Sequence, residues 1–378
     1  MRLHPFAPRT AVVAAALGAG LATAVTTGAA AVPRTAAFIP RLTHNQQLAS
    51  TIPANGDVNP YGVAVVPDSH GTLTAGDILV SNFNNAPTST AKGGQQGRGT
   101  TLVQVAPNGT KTTFAQIPPS AAPNGVGLTT ALVVLRSGWV VVGSLPTTDG
   151  TSATMHSGAL LVLDDNGHVR ETVTGHGIDG PWDATAVDNG TSADLFVSNV
   201  LGGITNGQPT TTSKGDVVRI ALNLTNGMPQ VGGSTVVANG LSVHTDPNAL
   251  VVGPTGVAVA PDGTLYVADT VHSRIARVPD AVARTSPVDA GAASATVASG
   301  SPLNGPLGLA LAPDGNLLAV NGADNNLVEV TTGGTRVATR NLDTKDQPGG
   351  ALFGLAPTAN PRAVYYVNDD TNTLNILH

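Results

Sequence analysis

The sequence predicts an all-β chain: a six-bladed β-propeller of four-stranded blades, closed by an N-terminal strand in the last blade. Three observations predict it. One short pattern recurs six times, most clearly from Pro254 to Val278 and again from Pro306 to Val330. A unit of that size cannot bury its apolar face alone and must stack on its neighbours. Apolar residues arrive in short runs of valine, leucine and alanine cut by Asp-Gly and Asn-Gly pairs, the pattern of short strands joined by tight turns. Finally, five units carry a fourth strand but the sixth has only three, while Gln46–Pro53 resembles the fourth strand of blade one at Thr113–Pro118. Pairing that segment with Thr373–Leu377 removes a free sheet edge and locks the ring without a covalent bond.

Taken in order, the first strands (a) start near Pro60, Thr129, Pro181, Pro254, Pro306 and Gly350. The second strands (b) are Ile78–Asn82, Val140–Ser144, Leu195–Asn199, Leu265–Asp269, Leu318–Gly322 and Tyr365–Asp369, each an apolar run ending in a small or polar pair. The third (c) are Thr101–Val105, Ala159–Leu163, Asp216–Ile220, Arg274–Val278, Asn326–Val330 and Thr373–Leu377; fourth strands (d) include Lys111–Ile117 and Arg336–Arg340.

Composition narrows the function. Only 11% of the 378 residues are charged, the net charge is −6 and no basic run exists, so a nucleic-acid footprint is absent. Aromatic residues are 3%, too few for an obvious stacking platform. There is no cysteine, hence no disulfide, and stability must come from the closed sheets. Arg2 and Arg9, the apolar stretch Ala11–Val25 and Ala29-Ala30-Ala31 read as a cleaved secretory signal. The expected organisation is a signal over 1–31, a linker over 32–41 and the propeller over 42–378. The mature protein is expected to be secreted or periplasmic, off the membrane, and monomeric.

Val267–Ile275, following Pro254-Thr-Gly-Val-Ala-Val, resembles the NHL repeat, with blade five the next-best copy. The six-unit ring is similar to the gluconolactonase and senescence-marker propellers. That resemblance implies a ligand site on the channel face and, in gluconolactonase-type enzymes, carboxylate and amide side chains that hold a divalent metal there. No N-terminal glutamate ligand aligns: the glutamates, Glu171 and Glu329, fall in or near outer strands.

The b–c loops of blades one to three (83–99, 145–158 and 200–215) and the link 240–253 are long and lie on one face with the d–a links. Long loops on a rigid scaffold suit binding, or are tolerated surface variation. At the third position of strand a the residues read Gly62, Ala131, Asp183, Gly256, Gly308 and Leu352, so Asp183 is the ionisable member of a small, apolar inner ring, beside Trp182. A carboxylate there needs a cation, hydrogen-bond donors or water. Asn59, Asn124 and Asp179 are candidates to complete an oxygen shell, which suits calcium better than zinc. Asn82, Ser144, Asn199, Asp269, Gly322 and Asp369 form a second ring at the strand-b ends; such side chains either bind a ligand or bond to local backbone. His156, His176, His244 and His272 sit in different blades or links and lack a zinc spacing. No Gly-x-Ser-x-Gly elbow or phosphate loop occurs. Three functions stay open: a binding or scaffold propeller whose ligand, a small molecule or protein, sits on the loop face; a metal-dependent lactonase using Asp183; and a carbon–oxygen lyase of streptogramin-lyase type needing a channel-facing histidine.

Overall fold

A computed structural model describes residues 37–85, 96–345, 349–359 and 362–378. The signal-like segment 1–31 lies outside the described residues, as does 86–95 in the blade-one loop. Six sheets stand around one axis, each with strand a at its inner edge. Blade one comprises Asp57–Val65, Ile78–Asn85, Thr101–Val105 and Lys111–Gln116, and blade two Leu132–Val134, Val140–Ser144, Ala159–Leu163 and Val169–Val173. Blades four and five begin at Pro254–Val259 and Pro306–Leu311.

The turns explain why the pattern repeats. In Ala260–Thr264, Ala260 N–H donates to Thr264 O at 2.8 Å and Gly263 N–H to Ala260 O at 2.9 Å. Asp262 Oδ1 accepts the Thr264 N–H at 2.9 Å. Gly263 has φ +82°, a conformation that disfavours any side chain. The same geometry recurs at Ala312–Asn316, where Gly315 has φ +87°. The Asp-Gly pair is therefore a hairpin signal with a mechanism: aspartate bonds its own turn, and glycine supplies the left-handed residue.

Between blades, side chains alternating along each strand make flat apolar layers. Leu79, Leu102, Val140, Val142 and Leu161 fill one such layer between blades one and two. Burying one leucine or valine of this kind contributes roughly 1.5–3 kcal/mol. Closure is as expected: the strand Asn45–Ser50 runs antiparallel to Thr373–Leu377, with Asn45 opposite Leu377 and Ser50 opposite Thr373. The chain packs on the ring from still further upstream. Phe38, Ile39 and Leu42 are buried between blades five and six, and the buried Glu329 carboxylate accepts the Phe38 and Ile39 N–H groups at 2.8 and 2.9 Å. A stretch read as linker thus supplies core.

Two registers differ from the sequence reading. In blade six Leu352 pairs with Asn368 and Leu355 with Tyr366, so Gly354, not Leu352, occupies the inner-ring position. By the same pairing the strand-b ends of blades five and six are Asn321 and Asn368, in place of Gly322 and Asp369. Sterics explain the glycine: a Cβ on Gly354 would lie 1.8 Å from Tyr61 O, and one on Gly308 2.3 Å from Phe353 O. Neighbouring inner strands touch backbone to backbone there.

Blade three departs from the repeat. Its strands c and d extend as Thr211–Asn223 and Gln230–Asp246, and Leu250–Val252 adds a further strand. Much of the supposed loop 200–215 and link 240–253 is a β-ribbon, with Thr211 opposite His244 and His244 opposite Val252.

Candidate functional site

The long segments on the loop face do not frame an open cleft. They seal the axis. Leu145 and Met155 from blade two, Val200, Leu201 and Ile204 from blade three, and Val243, Leu250 and Val251 from the ribbon pack with Tyr61, Phe83 and Trp182 into one buried apolar cluster. Tyr61 meets Trp182 edge to face at 5.8 Å between ring centroids and lies 5.6 Å from Phe353. Such pairs add about 0.5–1.5 kcal/mol each beyond area burial. Two buried leucines of this lid hold left-handed backbones, Leu128 at φ +42° and Leu250 at φ +64°. A bulky residue there costs roughly 1–2 kcal/mol, offset here by the burial it permits. The expected opening of the axis on the loop face is corrected by these contacts.

Tyr61, Trp182 and Phe353 occupy one repeat position, the second of strand a. Sequence reasoning singled out Trp182 and missed the other two. The signal was present: Pro60-Tyr-Gly, Pro181-Trp-Asp and Leu352-Phe-Gly place three of the chain's few aromatics at one point of the repeat.

Below the lid the axis is open. A well of about 500 Å³ runs along the inner edges of the six strands a. Tyr61 and Asp183 lie among the residues at its blind end; Pro67, Arg136 and Asp188, from a–b turns, line its mouth on the opposite face. At roughly 3.3 Å per strand residue, the five steps from Gly62 to Pro67 make it about 15 Å deep, a narrow shaft. Because each strand a is a sheet edge, its free N–H and C=O groups face the shaft.

Asp183 is in the wall of this shaft. Its Oδ1 accepts the Ala184 N–H at 2.8 Å, and its own N–H donates to Ser198 Oγ at 3.1 Å. Ser198 Oγ in turn donates to Thr255 O of blade four at 2.8 Å. Burial dominates the carboxyl's ionisation and raises its pKa to about 8, against the opposing pull of the Ala184 and Val257 amides. The solvent that reaches it through the shaft does not restore an ordinary carboxylate, so at neutral pH it is largely protonated.

The other proposed calcium ligands do not join it. Asn59, Asn124 and Asp179 do not line the shaft. Asn124 is exposed and donates to Ser157 O at 2.9 Å. Asn59 accepts from Asn84 Nδ2 at 3.1 Å, and its N–H donates to Asn372 Oδ1 at 2.6 Å. Among the described residues no three histidine or acidic side chains gather as a metal site. The donor set around Asp183 does not fit a calcium ion.

The strand-b ring has a structural explanation, one blade at a time. Asn82 Nδ2 donates to Thr51 O at 3.0 Å, Asn199 Nδ2 to Gly177 O at 2.8 Å and Asn321 Nδ2 to Pro302 O at 2.7 Å. Asn368 Nδ2 donates to Asp343 Oδ2 at 2.5 Å, and Ser144 Oγ to Gly127 O at 3.3 Å. Each bond ties the end of strand b to the link entering its own blade. Blade four uses charge instead: buried Asp269 accepts Arg274 Nε at 2.7 Å and lies 3.1 Å from His272 Nδ1.

Two acidic spots remain on the loop face. Asn199 Nδ2 also donates to Asp216 Oδ1 at 2.8 Å and Asn199 Oδ1 accepts the Asp179 N–H at 3.3 Å. Burial first, with Asp179 adding repulsion, raises Asp216 to about 7, and burial raises Asp179. Asp369 is likewise raised to about 7, chiefly by burial. Asp216 was not foreseen, because nothing in the repeat marks the first residue of that strand c.

Against known proteins, residues 252–277 match the NHL repeat, over blade four. None of the curated proteins matches the chain. Among solved structures, a gluconolactonase from Xanthomonas campestris has 14% identity and a TM-score of 0.55, with 89% of this chain and 93% of that one covered. The PQQ-bound aldose sugar dehydrogenase of Streptomyces coelicolor has 16% identity and a TM-score of 0.51, covering 88% and 98%. A streptogramin B lyase has 12% identity and a TM-score of 0.50, covering 89% and 97%. At these identities the likeness is one of fold.

Proposed function

We propose that this chain is an exported binding propeller whose small-molecule ligand enters the axial shaft from the a–b face. The observation that carries this reading is the sealed lid: the loop face of the axis is filled by Tyr61, Trp182, Leu250 and their neighbours, which leaves the shaft beneath as the concave site on the axis. A pre-formed pocket of a few hundred Å³ with one convergent ionisable group is the usual form of a small-ligand site. A metal-dependent lactonase needs several oxygen ligands converging at the channel mouth. Here the amides at the strand-b ends hold backbone links and the carboxylates are dispersed, which favours binding over hydrolysis. For a lyase, His272 is bound to Asp269 and His244 Nδ1 lies 3.1 Å from Thr245 O, each on a different blade from Asp183. No helix among the described residues is long and apolar enough to cross a membrane. Export rests on the N-terminal pattern, and mass measurement of exported protein is expected to show a start near Val32.

The test is a ligand screen by thermal shift and ligand-observed NMR on the mature chain, run beside Pro67→Trp, which places bulk at the exposed mouth. Ligands of the wild type are expected to be lost in that variant. Hits that survive it place binding elsewhere and defeat the shaft reading. Hydrolysis of a lactone panel, lost on chelation, restores the lactonase.

A further inference from the structure

Two polar atoms at the blind end of the shaft lack partners. Tyr61 is 1% exposed and Trp182 2% exposed, yet among the described residues neither Tyr61 Oη nor Trp182 Nε1 completes a hydrogen bond. They belong to rings in edge-to-face contact at 5.8 Å. Burial foremost, and Asp183 next, push the Tyr61 hydroxyl well above its ordinary range, with Trp182 offsetting part of this. The three groups therefore influence one another across a small space. Leaving such atoms unpaired costs about 1–3 kcal/mol each, and a native fold retains them where something else supplies the bond.

The geometry points to a hydroxyl-recognition site formed by Tyr61, Trp182 and Asp183 at the floor of the shaft, for a slim, acyclic, polyhydroxylated ligand. This deepens the shaft-binding reading and rests on it. The complement is chemical. Trp182 Nε1 can only donate, the Asp183 carboxyl accepts when ionised and can donate when protonated, and Tyr61 Oη does both. A hydroxyl is the small group that accepts from the first, donates to the second and tolerates either protonation state of the carboxyl. An ammonium group would leave the indole N–H unanswered, and a carboxylate would meet Asp183 with like charge as soon as that group ionised. Shape selects the rest of the molecule. A shaft about 15 Å long and 500 Å³ in volume admits an extended chain more readily than a fused ring system. Its walls offer strand-edge N–H and C=O groups along that length, which further hydroxyls can meet.

The experiment compares three slim four-carbon probes, erythritol, succinate and 1,4-diaminobutane, by calorimetry and saturation-transfer NMR on the mature chain. Erythritol is expected to bind in preference to the other two. Tyr61→Phe and Trp182→Phe keep the aromatic bulk and each remove one polar atom, so each is expected to weaken erythritol binding about 3–10-fold, the range of one hydrogen bond. Neither is expected to lower the melting temperature of the free protein, because each removes an unpaired buried group; that keeps a binding loss separate from misfolding. Preference for the diamine or the diacid overturns the hydroxyl assignment. So does a polyol whose affinity ignores both substitutions but falls with Pro67→Trp, which leaves the shaft reading standing. If no probe binds and other ligands enter the shaft, the floor holds bound water only and this inference fails alone; if nothing enters the shaft, both fail.

Discussion

The two ends of the axis are built from the same six inner strands and have opposite characters. At the loop end the second residue of strand a is aromatic in blades one, three and six, and the insertions of blades one to three lay further apolar groups over them. At the a–b end the turns are short, carry Pro67, Arg136 and Asp188, and leave the shaft open. A propeller's repeated scaffold thus does not decide which end receives a ligand. One side-chain position, read around the ring, does.

Removing the largest lid residue breaks that contrast most directly. Trp182→Ala is expected to cost about 3–5 kcal/mol by urea unfolding, since a buried aromatic is lost and the cavity cannot fully collapse against rigid strands. A loss under about 1 kcal/mol, on that same scale, shows that the lid is adaptable and the axis not truly sealed.

A smaller effect is expected at the strand-b ring. Asn199→Leu strips Gly177 O and the Asp216 carboxyl of their donor, which costs about 1–3 kcal/mol. Ligand entry from the opposite face is expected to be unchanged. A variant that unfolds no sooner but loses ligand refutes the purely structural role given to these amides.

The pH profile reports on the floor of the shaft. Asp183 rises from its ordinary 3.8 to about 8 in the folded state, so across that window the native protein keeps a proton that the unfolded chain has released. Stability then falls as pH rises, by at most about 1.4 kcal/mol per pH unit for one carboxyl. Asp216 and Asp369, raised to about 7, add slope of the same sign. Asp183→Asn is expected to flatten the profile and to be more stable than wild type near pH 8, measured by denaturant titration across pH 5–8 with their windows in view. An unchanged slope means that shaft water solvates the carboxylate fully.

Much of the fold was legible because its signals are local. An Asp-Gly turn makes its own hydrogen bonds within five residues, as Ala260–Thr264 does, and a strand of alternating valines needs no distant partner to be recognised. The closing strand was legible because it resembles another copy of itself. Blade six was misaligned by two residues because its entry, Gly350 and Ala351, lacks the proline that marks the others; only the pairing of Leu352 with Asn368 fixes it.

What the sequence by itself determined was the blade, its turns, the ring of blades and the strand that closes it, all written in short-range patterns. Which end of the axis is sealed was decided by the tertiary structure. Tyr61, Trp182, Leu250 and Phe353 are far apart along the chain, and their burial exists only once the ring has closed and carried every strand a to the same axis. The Asp183 carboxyl tells the same story: its residue type was visible, but its raised pKa belongs to the apolar surroundings that six blades assemble around it.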